Sequence, residues 1–102
     1  MEWERPITID QREQLLLAGE REIARIRAEQ LQVLGELDRL QVATGDGCRS
    51  MSEWVAGRLD LSFDMARSLV GTMRRTIDRP DLRDALRSGV SYDRIEALSR
   101  IS

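Results

Sequence analysis

Between Asp10 and about Ala43 the chain keeps one spacing. Leu16, Ile23, Ile26, Val33, Leu37 and Leu40 fall on the two apolar positions of a seven-residue repeat, with Gly19 and Gln30 at the two interrupted positions. On an α-helix such a repeat draws a single stripe. Leu17, Leu31 and Leu34 widen it. The pattern predicts one helix over about residues 10–43, and about 32 helical residues at 1.5 Å each span about 48 Å. The helices expected downstream are too short to cover that length, so part of the stripe must meet something else. One candidate is a second copy of the chain, in a parallel or antiparallel helix pair with Gln30 as the polar register-setting position. The other is a set of later helices belonging to a longer parent protein. An uncovered apolar stripe is a liability in water, which favours a homodimer. Its contact residues are then Leu16, Ile23, Ile26, Gln30, Val33, Leu37 and Leu40.

The pattern before and after this stretch differs. Residues 1–9 read as an extended lead-in, because Pro6 disfavours helix at the residue before it; Trp3 is a candidate to tuck against the body. Residues 44–49, TGDGCR, read as a loop. Cys48 sits in that loop beside Arg49 and reads as a packing or loop residue, since a lone thiol without a histidine makes a poor nucleophile.

Ser50 followed by Glu53 is a capping-box pattern and predicts a helix start. Trp54, Val55, Leu59 and Leu61 fall on one side of this segment. Ser62 then offers a second N-cap oxygen before Asp64, an anion suited to a first helical turn. A second helix from about Phe63 carries Ala66, Leu69, Val70, Met73 and Ile77 on one stripe and leaves Arg67, Arg74 and Arg75 on other faces. A short helix, a three-residue turn and a longer helix with arginines over residues 50–77 match a DNA-reading helix-turn-helix. Val55, Ala56, Leu59, Leu61, Ala66 and Leu69 occupy its buried positions. Asp60 replaces the usual turn glycine, and aspartate enters the left-handed region less easily. The plainer alternative is that two short helices of any small α domain pack through such a stripe.

On the DNA reading, Ser62 and Phe63 lead the second helix into the major groove, and Arg67 and Ser68 face base edges. Arg58, Arg74 and Arg75 meet phosphates. Asp64 counts against this placement, because a carboxylate there repels the backbone unless it accepts from a cytosine amino group. Over residues 80–102, Pro80 fits the first turn of a helix with Leu82, Ala85 and Leu86 inward, and Gly89 stops it. Ser91 caps a last helix with Ile95, Leu98 and Ile101 inward. That helix meets no closing signal, which reads as a fragment boundary.

Composition narrows the chemistry. The 102 residues hold no histidine, no lysine and one cysteine. That excludes a disulfide framework, a zinc site, a phosphate-binding loop of the nucleotide-hydrolase type, Schiff-base chemistry and a histidine general base. The acids fall in patterns that read as helix caps or solvated faces. The expectation is therefore a non-enzyme, with no cofactor, no metal and no small-molecule substrate. No apolar run approaches the length that crosses a bilayer and the N-terminus is polar, so no membrane partner is expected and the cytoplasm is the default. Net charge is −2. Its distribution is uneven: residues 1–46 hold six arginines against ten acids, residues 47–102 ten against eight. Positive potential is thus concentrated in the second half, where contact with double-stranded DNA would be modest and salt-sensitive.

The run from Gly47 to Leu98 resembles the domain of unknown function 222, or thirteen-E-twelve repeat, family of high-GC Gram-positive bacteria and their phages. The likeness lies in the glycine loop, the pair Ser50 and Trp54, and the turn Leu61, Ser62 with Ala66 and Arg67. It continues in the proline-led helix and in Ala85, Leu86, Gly89 and Ser91. The resemblance implies a long helical segment before the loop and, often, an HNH endonuclease domain after it. Such a nuclease uses histidines and so lies outside this chain. Together these readings give an all-α, DNA-binding helix-turn-helix module associated with an HNH endonuclease. The alternatives are a protein-interaction or dimerisation module without DNA contact and a stand-alone phage or prophage repressor.

Overall fold

Thr8 opens the first helix. Its hydroxyl accepts from the Gln11 amide at 3.1 Å while the Gln11 side chain accepts from the Thr8 amide at 3.0 Å, a closed capping box. The computed structural model describes residues 8–101. The lead-in over residues 1–7, with Trp3, lies outside the described residues. Thr8 and Ile9, expected to be extended, instead cap and begin α1 (Ile9–Arg39).

The described residues fold as all-α, with six helices in order: α1, α2 (Val42–Gly45), α3 (Met51–Leu59), α4 (Phe63–Thr76), α5 (Pro80–Arg87) and α6 (Tyr92–Ser99). The long helix stops four residues before the expected Ala43. Gln41 turns left-handed at φ 58° and its amide donates to the Asp38 carbonyl at 3.0 Å. This kink redirects the chain into the single turn of α2, so that Ala43 is buried rather than left on the end of a rod. No glycine marks the stop.

The later boundaries follow local chemistry. Ser50, Ser62 and Ser91 accept from the amides of Glu53, Met65 and Arg94, starting α3, α4 and α6. Asp60 takes the left-handed position at φ 54° that ends α3, so the turn is built without glycine. Gly89, at φ 113°, ends the α5 connection.

The core is formed by α4 lying between α1, α3, α5 and α6. Leu69, Met73, Val55, Leu86 and Ile95 meet in it without solvent exposure. From α1 the contributors are Ala24, Ala28, Leu31 and Leu34, with buried Gly35 beside the Met73 side chain. Small residues at 24, 28 and 35 let α1 approach closely. Several stripe residues expected inside are not. Leu59 sits at the last turn of α3, and Ile77 and Leu98 at helix ends facing water, each 40–52% exposed; Ile101 is exposed as well. Thr72 and Thr76 take the inner positions of α4 near its end, with hydroxyls bonded to Tyr92 and to the Thr72 carbonyl. α6 closes at Ser99, its C-cap Arg100 donating to the Ala97 carbonyl, so the last helix ends before Ile101.

Candidate functional site

The two candidate surfaces are the arginines of the α3–α4 pair and the seven-residue seam of α1. The arginines do not gather. Arg74 forms a two-pronged ion pair with Asp38 of α1, Nε to Oδ2 at 3.0 Å and Nη2 to Oδ1 at 2.9 Å. That bond pushes the guanidinium pKa above its ordinary value, against partial burial. Arg75 turns toward α6 instead, donating to Ser99 Oγ at 3.0 Å and pairing with Glu96 at 3.4 Å. Arg58 lies over the Trp54 ring, 5.3 Å from its centroid, and pairs with Asp46 at 2.9 Å. The same carboxylate accepts from Trp54 Nε1 at 2.7 Å. Only Arg67 of the four is exposed with no hydrogen bond or ion pair to another described residue. The expected common outward cluster of Arg67, Arg74 and Arg75 is therefore not formed.

The leading end of α4 is exposed. Ser62 spends its oxygen on the Met65 amide at 3.0 Å and Phe63 is 51% exposed. Ser68, expected to face base edges, is half-buried and shares a 2.8 Å hydrogen bond with the Tyr92 hydroxyl, which also meets Thr72 at 3.0 Å. A hydroxyl tied to α6 is not free to read a base. Tyr92 carried no sequence signal for this role beyond following a capping serine.

Arg83 is a structural residue that periodicity missed. It donates to Thr76 Oγ1 at 2.7 Å and to the Met73 carbonyl at 3.2 Å, closing the carbonyl end of α4 from α5. Burial, with Arg87 adding to it, pulls its pKa down.

The α1 seam is laid bare. Leu16 and Leu40 are each 74% exposed, and Ile23, Ile26 and Val33 also face water. Ile9 extends the repeat by one more position. Leu37 and Gln30 are half-buried, Gln30 accepting from Arg27 Nη1 at 2.8 Å. The body packs on a neighbouring face, through Ala24, Ala28, Leu31 and Gly35. Every residue from Thr8 to Ile23 is exposed, although the Arg21 side chain already lies beside Gly89 of the α5–α6 turn. Along the second half, Trp54 and Leu59 of α3 flank the seam and form an apolar groove with Ile26, Val33 and Leu37.

Among the described residues, no three histidine, cysteine or carboxylate side chains are grouped to hold a metal ion, and no helix is long and apolar enough to cross a membrane. Comparison with protein-family models, curated proteins and solved structures finds no match to this chain.

Proposed function

We propose that this chain is a non-enzymatic, cytoplasmic helical module whose working surface is the seam of α1, and that a second copy of the chain covers it. The observation that carries the reading is the unpartnered seam itself, with Leu16 at 74% exposure although it stands on a repeat that runs the length of the helix. A repeat of seven sustained over that length is what a partner helix requires. A core-facing helix of a small domain does not need it, and here the core uses a different face. Sedimentation equilibrium tests this at tens of micromolar. A dimer that an Ile23→Ser, Val33→Ser double variant converts to monomer supports the reading, and a wild-type monomer overturns it.

A second reading keeps one specific observation in its favour. The α3–α4 pair carries a three-residue turn with Asp60 left-handed and an exposed, serine-capped leading end with Phe63 and Arg67, which pairs with no described residue. On this reading the module binds double-stranded DNA, with Arg67 toward base edges and Arg58 and Arg74 exchanging Asp46 and Asp38 for phosphates. The resemblance to the thirteen-E-twelve repeat family implies an HNH nuclease as the neighbour of such a module; a phage repressor acting alone is the other context. Replacing Arg67 and Arg74 together by alanine lowers affinity for duplex DNA about tenfold or more if DNA is the ligand. An unchanged gel shift removes the reading.

A further inference from the structure

Resting on the proposal that α1 self-associates, we infer that the two copies run antiparallel, in one register that pairs each half of the helix with the other half of its partner. In that register Ile9 faces Leu40 of the second copy, Leu16 faces Val33, and Ile23 faces Ile26. Gly19 faces Gln30. The only small seam residue thus makes room for the only amide, whereas a parallel pair stacks Gly19 on Gly19 and Gln30 on Gln30.

Charge follows the same arrangement. Arg12, which stands on the seam, faces Leu37 of the second copy and reaches the neighbouring Glu36 with its guanidinium, and Glu20 arrives beside Arg27, each twice by symmetry. A parallel pair instead puts Arg12 on Arg12. Glu22 and Glu29 do approach each other across the antiparallel pair. Arg25 of the same chain already holds both, Nε to Glu22 at 3.0 Å and Nη1 to Glu29 at 2.9 Å.

The body adds a third reason. The first turns of α1, with Leu15, Leu16 and Leu17, bury no side chain among the described residues, while the other half borders the groove of Trp54 and Leu59. Running antiparallel lays the bare half of each copy along the groove of the other. Leu16 then approaches Val33, Leu37 and Trp54 of the second copy, and both unmatched features are covered by one contact.

Single-cysteine chains in a Cys48→Ser background test the register. In the antiparallel pair Leu16→Cys meets only Val33→Cys, because the two copies of position 16 stand about 26 Å apart along the axis. In a parallel pair position 16 meets itself. Mixed L16C and V33C chains are expected to oxidise to a covalent heterodimer, with L16C alone remaining uncrosslinked. A covalent L16C homodimer overturns the antiparallel register and leaves self-association standing. A sedimenting dimer with neither crosslink overturns it too. A monomer in sedimentation overturns both this inference and the proposal beneath it.

Discussion

Arg74 of α4 grips Asp38 of α1 with two parallel hydrogen bonds of 3.0 and 2.9 Å, across 36 positions of sequence. The pair ties the end of the rod to the helix that fills the core, and it uses an arginine otherwise available to a polyanion. Arg74 is 56% exposed on its side chain, so solvent screens the bond. Asp38→Ala is expected to cost about 0.5 to 1 kcal/mol of unfolding free energy, read by urea denaturation. If DNA is a ligand, the same change frees Arg74 and strengthens duplex binding.

Tyr92→Phe leaves the fully buried Thr72 hydroxyl without its inter-helix partner. The expected loss is about 1 to 2 kcal/mol. Ser68→Ala, at a half-buried site, should lose less. Equal effects from the two would show that the Tyr92 hydroxyl is not shared as the geometry has it.

Leu31 and Val33 are two residues apart on one helix and face different fates. Leu31 is 0% exposed and Val33 51%. Leu31→Ala should destabilise the fold by about 2 to 5 kcal/mol. Val33→Ala should leave the dilute protein's denaturation midpoint nearly unmoved and, if the seam joins two copies as proposed, weaken that association in sedimentation over a concentration series.

Gly89 has φ 113°, and a Cβ there would lie 2.9 Å from the Arg21 side chain. Arg21 can swing aside, but the backbone cannot relax without reopening the α5–α6 turn. Gly89→Ala is expected to cost about 1 to 3 kcal/mol, scored by thermal melting.

The pH dependence should be flat where most proteins change. With no histidine in the chain, no side chain of ordinary pKa charges near neutrality. The Arg25 hydrogen bond holds Glu22 below its ordinary 4.5, and Arg79 holds Asp81 below its ordinary 3.8. Depressed carboxylates contribute stability above their unfolded pKa and lose it as pH falls through the folded one. Both groups lie at the surface, so each contribution is small. The denaturation midpoint is expected to hold between about pH 5.5 and 7.5 and to decline below about pH 4.5. A midpoint that moves near pH 6.5 contradicts this.

Helix starts were legible because a serine or threonine oxygen at an N-cap is a local device: Ser50, Ser62 and Ser91 act where the sequence puts them. The all-α class followed from the same local patterns. Of the buried face of α1 only Leu31 and Leu34 were legible. Its heptad residues outnumber the alanines and glycine of the face that packs, and close approach by small residues leaves no hydrophobic signal. The stop at Gln41 was hidden for a related reason, since the left-handed turn there uses no glycine and the residue it brings inward is the small Ala43. The arginines were legible as exposed but not in their partners, because Asp38, Asp46, Glu96 and Ser99 reach them only through the tertiary fold.

The capped but unsupported first turns of α1 have a thermodynamic corollary. Three or four turns held by backbone bonds and a cap, without tertiary packing, are marginally helical in water. An isolated molecule is therefore expected to fray inward from Thr8 toward Arg21, where the helix first meets the body. If two copies pair through the seam as proposed, crowding them together restores those turns. The ellipticity of a dilution series thus becomes a gauge of abundance, written into one end of a single rod.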